Sequence, residues 1–143
     1  MNFYDGSCHC GNITFSMHSE KHVSEFNPRK CDCNFCLKHG CMFVSDPEGS
    51  VDIRIKNTEA LNKYRQGSGL AEMFVCKQCG VAPLFTFEHE NGLYAVLNAL
   101  CFDSNTGFGD TVEVSPKKLG NDEKIRRWLT LWIPDVRIQF DNV

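Results

Sequence analysis

Seven of the nine cysteines in this chain stand in three short clusters: Cys8-His9-Cys10, Cys31-Asp32-Cys33-Asn34-Phe35-Cys36 and Cys76-Lys77-Gln78-Cys79. A tetrahedral metal centre takes four ligands when it is closed, and three plus an exchangeable position when it is reactive. The counts of two, three and two therefore divide in a simple way. The two pairs make one closed four-thiolate site, and the triplet makes a second with one corner free. Whatever the chain folds into has to bring residues 8–10 and 76–79 together.

Local geometry supports each cluster. Side chains at i and i+2 share a face of a strand, so Cys8 and Cys10, between Gly6 and Gly11, can aim two sulfurs at one ion. Cys76-x-x-Cys79-Gly80 has the form of a zinc knuckle, its glycine permitting a left-handed turn. In the triplet, Cys31 and Cys33 can leave a strand end while Cys36 returns from the first turn of a helix, whose N-terminal amides favour thiolate charge. A local disulfide within each pair is the plain alternative, disfavoured in a reducing compartment. For the triplet the alternative is closure by a fourth protein ligand, with Cys41, His39, His9 and Cys101 as candidates.

A length of 143 residues suits one domain with a real core. Hydrophobic and charged fractions of 42% and 23% are those of a folded globular chain, which argues against disorder. The net charge of -3, with no basic run among aromatics, argues against nucleic-acid binding. The N-terminus lacks a charged start with an apolar stretch behind it, and no apolar run is long enough to span a bilayer. Cytoplasmic localisation, with no membrane partner, is the expectation. Oligomeric state is not legible.

Period-two alternation dominates the chain and predicts strands with one buried face. It runs through Ile13, Phe15 and Met17, then Val51, Ile53 and Ile55, then Phe85 and Phe87, then Tyr94, Val96 and Asn98. Turns are expected at Asp46–Gly49, Gln66–Gly69 and Glu90–Gly92. The fold class expected is mainly β, with packed antiparallel sheets, short helices and one C-terminal helix. That helix is predicted from Ile125, Trp128, Leu129 and Trp132, behind the capping candidates Asn121 and Asp122 and before Pro134; Val136, Ile138 and Phe140 then read as a closing strand. Short helical turns are expected after Cys33 and near Thr58–Lys63, and residues 103–111 read as a loop suited to a mobile flap. Trp128 and Trp132 suit a core or an interface equally.

The run Gly6-Ser7-Cys8-His9-Cys10-Gly11, then Cys31-x-Cys33-x-x-Cys36 with Lys38-His39-Gly40, then Phe74-Val75-Cys76-x-x-Cys79-Gly80, resembles the glutathione-dependent formaldehyde-activating enzyme family, which includes centromere protein V. The resemblance covers residues 6 to 102, with 116–143 expected to add the C-terminal helix and strand to a single domain. It implies the β-rich zinc fold shared with methionine sulfoxide reductase B and a Rab-binding chaperone. It also implies two zinc ions per chain: a structural one on Cys8, Cys10, Cys76 and Cys79, and a catalytic one on Cys31, Cys33 and Cys36.

The implied activity is that of a carbon–sulfur lyase adding glutathione to formaldehyde. In that reading His39 is the candidate proton carrier, and Lys38 and Arg65, with Lys30, are the candidate partners for glutathione carboxylates. Leu37 departs from the family pattern, which is often basic there, and Asp32 adds a negative charge between two ligands. The competing reading is a non-catalytic, chaperone-like binding module with both zinc sites closed. Cys41 and Cys101 remain outside the clusters, as small buried hydrophobes or, for Cys101, a redox thiol.

Overall fold

The alternating strands pair as their patterns require. The structure, a computed structural model, describes residues 1–66, 68–103 and 107–141. β1 (Asn2–Ser7), β2 (Ile13–Ser19), β5 (Ser50–Ile55) and β11 (Asp135–Phe140) form one sheet, in the order β1-β2-β5-β11. Registration puts Ile13 opposite Ile55, Phe15 opposite Ile53 and Met17 opposite Val51, so the apolar residues of both strands fall on one buried face. Outside, Arg137 meets Asp52 at 2.9 Å and Arg54 meets Asp141 at 2.8 Å.

The second sheet holds β3 (Arg29–Cys31), β4 (Met42–Val44), β6 (Leu61–Tyr64), β7 (Glu72–Cys76), β8 (Leu84–His89), β9 (Gly92–Asn98) and β10 (Val112–Val114), in the order β10-β3-β4-β9-β8-β7-β6. Both of its faces are covered. Phe74, Leu84, Ala95 and Leu97 pack toward the four-stranded sheet, while Met73, Phe85, Phe87 and Val96 pack toward the helix α2 (Asn121–Leu131). This is why the run from Leu93 to Phe102, Asn98 apart, reads as apolar rather than strictly alternating. β8 and β9 turn through Glu90 and Asn91, both at positive φ, the two-residue hairpin geometry.

The fold is therefore mainly β and largely antiparallel. Two pairings are parallel, β3 with β10 and β5 with β11, and both recruit late segments of the chain. α1 (Asn34–His39) is the helical turn expected after Cys33. The turn expected over Thr58–Lys63 is a single 3-10 turn at Thr58–Ala60, after which the chain is already strand β6. α2 is capped by Gly120 with no side-chain bond, not by Asn121 or Asp122, which are its first helical residues. Trp132 is buried against Phe87 and Trp128, so both indoles belong to this packing. The loop expected at 103–111 includes 104–106, which lie outside the described residues. Its later part is anchored: Phe108 packs edge-on against Phe102, and the Gly109 N–H donates to Phe26 O at 2.8 Å.

Candidate metal centres

Cys8 and Cys10 leave the end of β1 and occupy the hairpin before β2, while Cys76 ends β7 and Cys79 lies three residues on. The i, i+2 strand geometry expected for the first pair is replaced by a turn: Gly11 N–H donates to Cys8 O at 3.2 Å, and Cys8 N–H to Ile13 O at 2.9 Å. The second pair does the same, with Gly80 N–H to Cys76 O at 2.8 Å and Cys76 N–H to Val81 O at 3.0 Å. Gly11 and Gly80 sit at φ +83° and +79°, the left-handed conformation that closes each knuckle.

Two such knuckles face each other across the sheets. Their four sulfurs lie within 4.8 Å of one another, with Cys8 to Cys10 at 3.8 Å and Cys10 to Cys76 at 3.5 Å. A tetrahedral ion with sulfurs at about 2.3 Å requires edges of about 3.8 Å, so the set fits a metal without rearrangement. Burial pushes the Cys8 thiol up to about 12 and raises Cys76 as well. Burial also opposes ionisation of Cys79, but N–H groups of Val81 and Cys10, with the thiols of Cys76 and Cys8, bring it down to about 6. Cys101 lies on this side of the molecule; burial, then the charge of Cys79, raises it to about 11. It stands by the four-cysteine cluster, not by the triplet.

Cys31 ends β3, Cys33 caps α1 and Cys36 sits in the first turn of that helix, their sulfurs again within 4.8 Å of one another. Cys33 Sγ accepts the Cys36 N–H at 3.4 Å. The bond to Cys36 and burial hold Cys31 well above the ordinary thiol range; in Cys36 the bond to Cys31 pulls down but Cys41 and burial outweigh it. Cys41 is thus a neighbour of Cys36, yet it falls outside the mutually close set and accepts Asn98 Nδ2 at 3.8 Å.

The two clusters differ in what lies beside them. Cys31, Cys33 and Cys36 line a cavity of about 370 Å³, and none of the other four cysteines does. Phe43, Met73, Phe85 and Val96 line it, with Trp128, Leu131 and Trp132 on the α2 side and Arg29, Lys117, Lys124 and Arg127 as its cations. Burial, and then the charge of Arg127, lowers Arg29 to about 10. Gln66 lines the cavity as well, its Nε2 4.0 Å from Cys33 Sγ.

The polar residues expected around the triplet stand elsewhere. His39 stacks on Phe35 with centroids 5.2 Å apart, and Lys38 is exposed beside it; both lie in the last turn of α1, where positive charge complements the helix dipole. Arg65 donates to Gly69 O at 2.7 Å and pairs with Glu72 at 3.5 Å. Lys30 is exposed. None of the four lines the cavity. Asp32, between two ligands, is engaged by the Ser115 hydroxyl and by Lys117 at 3.9 Å. The cations that do line the cavity had one signal in sequence: Lys124, Arg127, Trp128 and Leu131 recur at offsets of three, four and seven, a single helix face mixing charge with apolar bulk.

A mainly β fold that gathers seven cysteines into a set of four and a set of three defines a cysteine-rich class of protein whose clusters could hold metal ions. A crystal structure of a Rhodobacter sphaeroides protein is similar over 82% of this chain and 95% of its own, with a TM-score of 0.51 and 22% identity, a likeness of fold. The family model described as "Glutathione-dependent formaldehyde-activating enzyme" matches residues 3–118. The chain belongs to that family. Both of its cysteine clusters have the geometry to hold a metal ion.

Proposed function

We propose that this chain is a zinc-dependent enzyme of the carbon–sulfur lyase class that reversibly adds a thiol to a small aldehyde, glutathione and formaldehyde being the pair its family suggests. One observation carries the reading: the three-cysteine cluster lines a cavity, and the four-cysteine cluster does not. Cys8, Cys10, Cys76 and Cys79 would hold a structural zinc, and Cys31, Cys33 and Cys36 a reactive one. An all-thiolate tetrahedral donor set suits zinc. Bound at the triplet, zinc would supply Lewis acidity and lower the pKa of a thiol that joins it.

The chain's own residues supply the rest. Phe43, Phe85 and the two indoles keep water from the reacting carbon, and the cations draw in an anionic thiol. The thiolate sulfur bonds to the carbonyl carbon, the π pair moves onto oxygen, and that oxygen takes a proton. Gln66, whose side-chain amide points at Cys33 Sγ, is suited to hydrogen-bond this oxygen as its charge grows. Among the described residues the lining has no histidine or carboxylate, so the proton does not come from His39; the ammonium groups of Lys117 and Lys124 are the acids the lining offers. Cys41 beside Cys36 favours the competing reading, a closed and non-catalytic site, but its place outside the mutual cluster weighs against it.

NMR exchange spectroscopy on formaldehyde and glutathione tests the reaction. The zinc-loaded protein should speed interconversion with the hydroxymethyl thioether, and Cys33→Ser should return the rate to background. No acceleration by the wild-type chain, with this or any simple thiol, would count against the enzyme.

A further inference from the structure

Among the described residues, four cations and no acidic residue line the cavity beside Cys31, Cys33 and Cys36. Lys117 is balanced by Asp32 at 3.9 Å. Among the described residues, no carboxylate comes within 4.0 Å of Arg29, Lys124 or Arg127. Arg29 is nonetheless held in place: its Nη2 donates to Ser45 Oγ at 2.8 Å, and Ser45 donates to Leu131 O at 2.6 Å, which ties the guanidinium to the end of α2. Half-buried guanidinium groups without a counter-ion are costly, and like charges on one wall add to the cost. An anion entering the cavity relieves both.

The occupant is constrained further by what is missing. With no acidic side chain among the described residues of the lining, an ammonium group carried in by the ligand finds no carboxylate there. Trp128 and Trp132 stack at 4.8 Å and, with Phe85 and Met73, offer an apolar surface to a carbon chain. Lys124, Arg127, Trp128, Leu131 and Trp132 all lie beyond residue 118, outside the segment that matches the family. This part of the lining is supplied by α2 and the residue that follows it, beyond the matched segment.

We infer that the thiol taken here is a carboxylate-bearing thiol without an ammonium group, its acid held by Arg29 and Arg127 and its carbon chain laid along the Trp128–Trp132 wall. The inference rests on the open metal site of the proposed function. Glutathione carries an ammonium in addition to its carboxylates, and is for that reason the poorer ligand.

The chain's two tryptophans both line the cavity, so their fluorescence reports binding directly. Titration of the zinc-loaded protein with 3-mercaptopropionate, 3-mercaptopropionamide and cysteamine separates charge from thiol chemistry. The carboxylate should bind about tenfold or more tightly than the amide, as charge-assisted hydrogen bonds imply, and cysteamine most weakly. Arg127→Gln should remove most of that preference and leave amide binding unchanged. Lys124→Gln, on the same helix face, should reduce it in the same direction should the first variant fold poorly. Equal affinity for carboxylate and amide, or an unchanged preference in the folded variants, would overturn the inference. The same titrations on cobalt-substituted protein separate the two claims. A spectral response to every thiol without charge preference sinks only the inference, and no response to any thiol sinks the open site with it.

Discussion

At the residue scale the cysteines divide by environment more than by identity. Cys101 shows this: it is raised to about 11 by burial and by its neighbour Cys79, against an ordinary thiol near 9. A raised value means the protonated form persists through neutral pH, so at pH 8 its thiolate fraction is about a hundredth of an ordinary thiol's. Iodoacetamide labelling read by mass spectrometry should find Cys101 nearly inert at pH 8 and increasingly reactive as pH approaches 11. Rapid labelling at pH 8 would revive it as a redox thiol. The grouping of the cysteines was legible in sequence because each pair closes through a local turn: Cys8 to Gly11 and Cys76 to Gly80 carry the geometry within a few residues. Arg29 was not legible, because it joins Arg127 at the cavity only after β3 and α2 have packed; Arg127 had only its place on one mixed helix face as a signal. Lys38 and Arg65 are candidates by charge alone, and neither lines the cavity: Lys38 lies in the last turn of α1, and Arg65 pairs with Glu72.

At the element scale, alternation located the strands well. Ile13, Phe15 and Met17 against Ile55, Ile53 and Val51 is the register that the pattern demands, since a slip of one residue would turn every one of them outward. Ile53 is the centre of this sheet, opposite Phe15 on β2 and Ile138 on β11. Ile53→Ala should cost about 3 kcal/mol, roughly 6–12 °C in Tm by calorimetry, with metal content unchanged. A shift within a degree would mean that the β5–β11 pairing is not the core it is described to be. The parallel partners of β3 and β5 were beyond sequence reading, because period two says which face is buried but not which distant strand lies alongside. The same blindness misplaced the helix near Thr58, where a 3-10 turn satisfies the local signal and pairing with β7 takes the rest as strand.

At the scale of the whole molecule, the four-cysteine set joins positions 66 residues apart, Cys10 to Cys76, and so links both sheets. A structural zinc there contributes about 10 kcal/mol or more, as large as a domain's net stability. The triplet lies within a single β3–α1 corner and closes no comparable loop. Cys76→Ser should therefore unfold the chain, whereas Cys31→Ser should leave circular dichroism nearly intact and abolish turnover. Equal collapse of both variants would remove the distinction between a structural and a reactive site. The most direct measurement is X-ray absorption at the zinc edge of the fully loaded protein. One closed and one open site predict two zinc ions per chain and an average shell of about 3.5 sulfurs with about half a lighter oxygen or nitrogen ligand per ion, the lighter part changing when a thiol is added. Four sulfurs around every zinc, unchanged by thiol, would contradict the account.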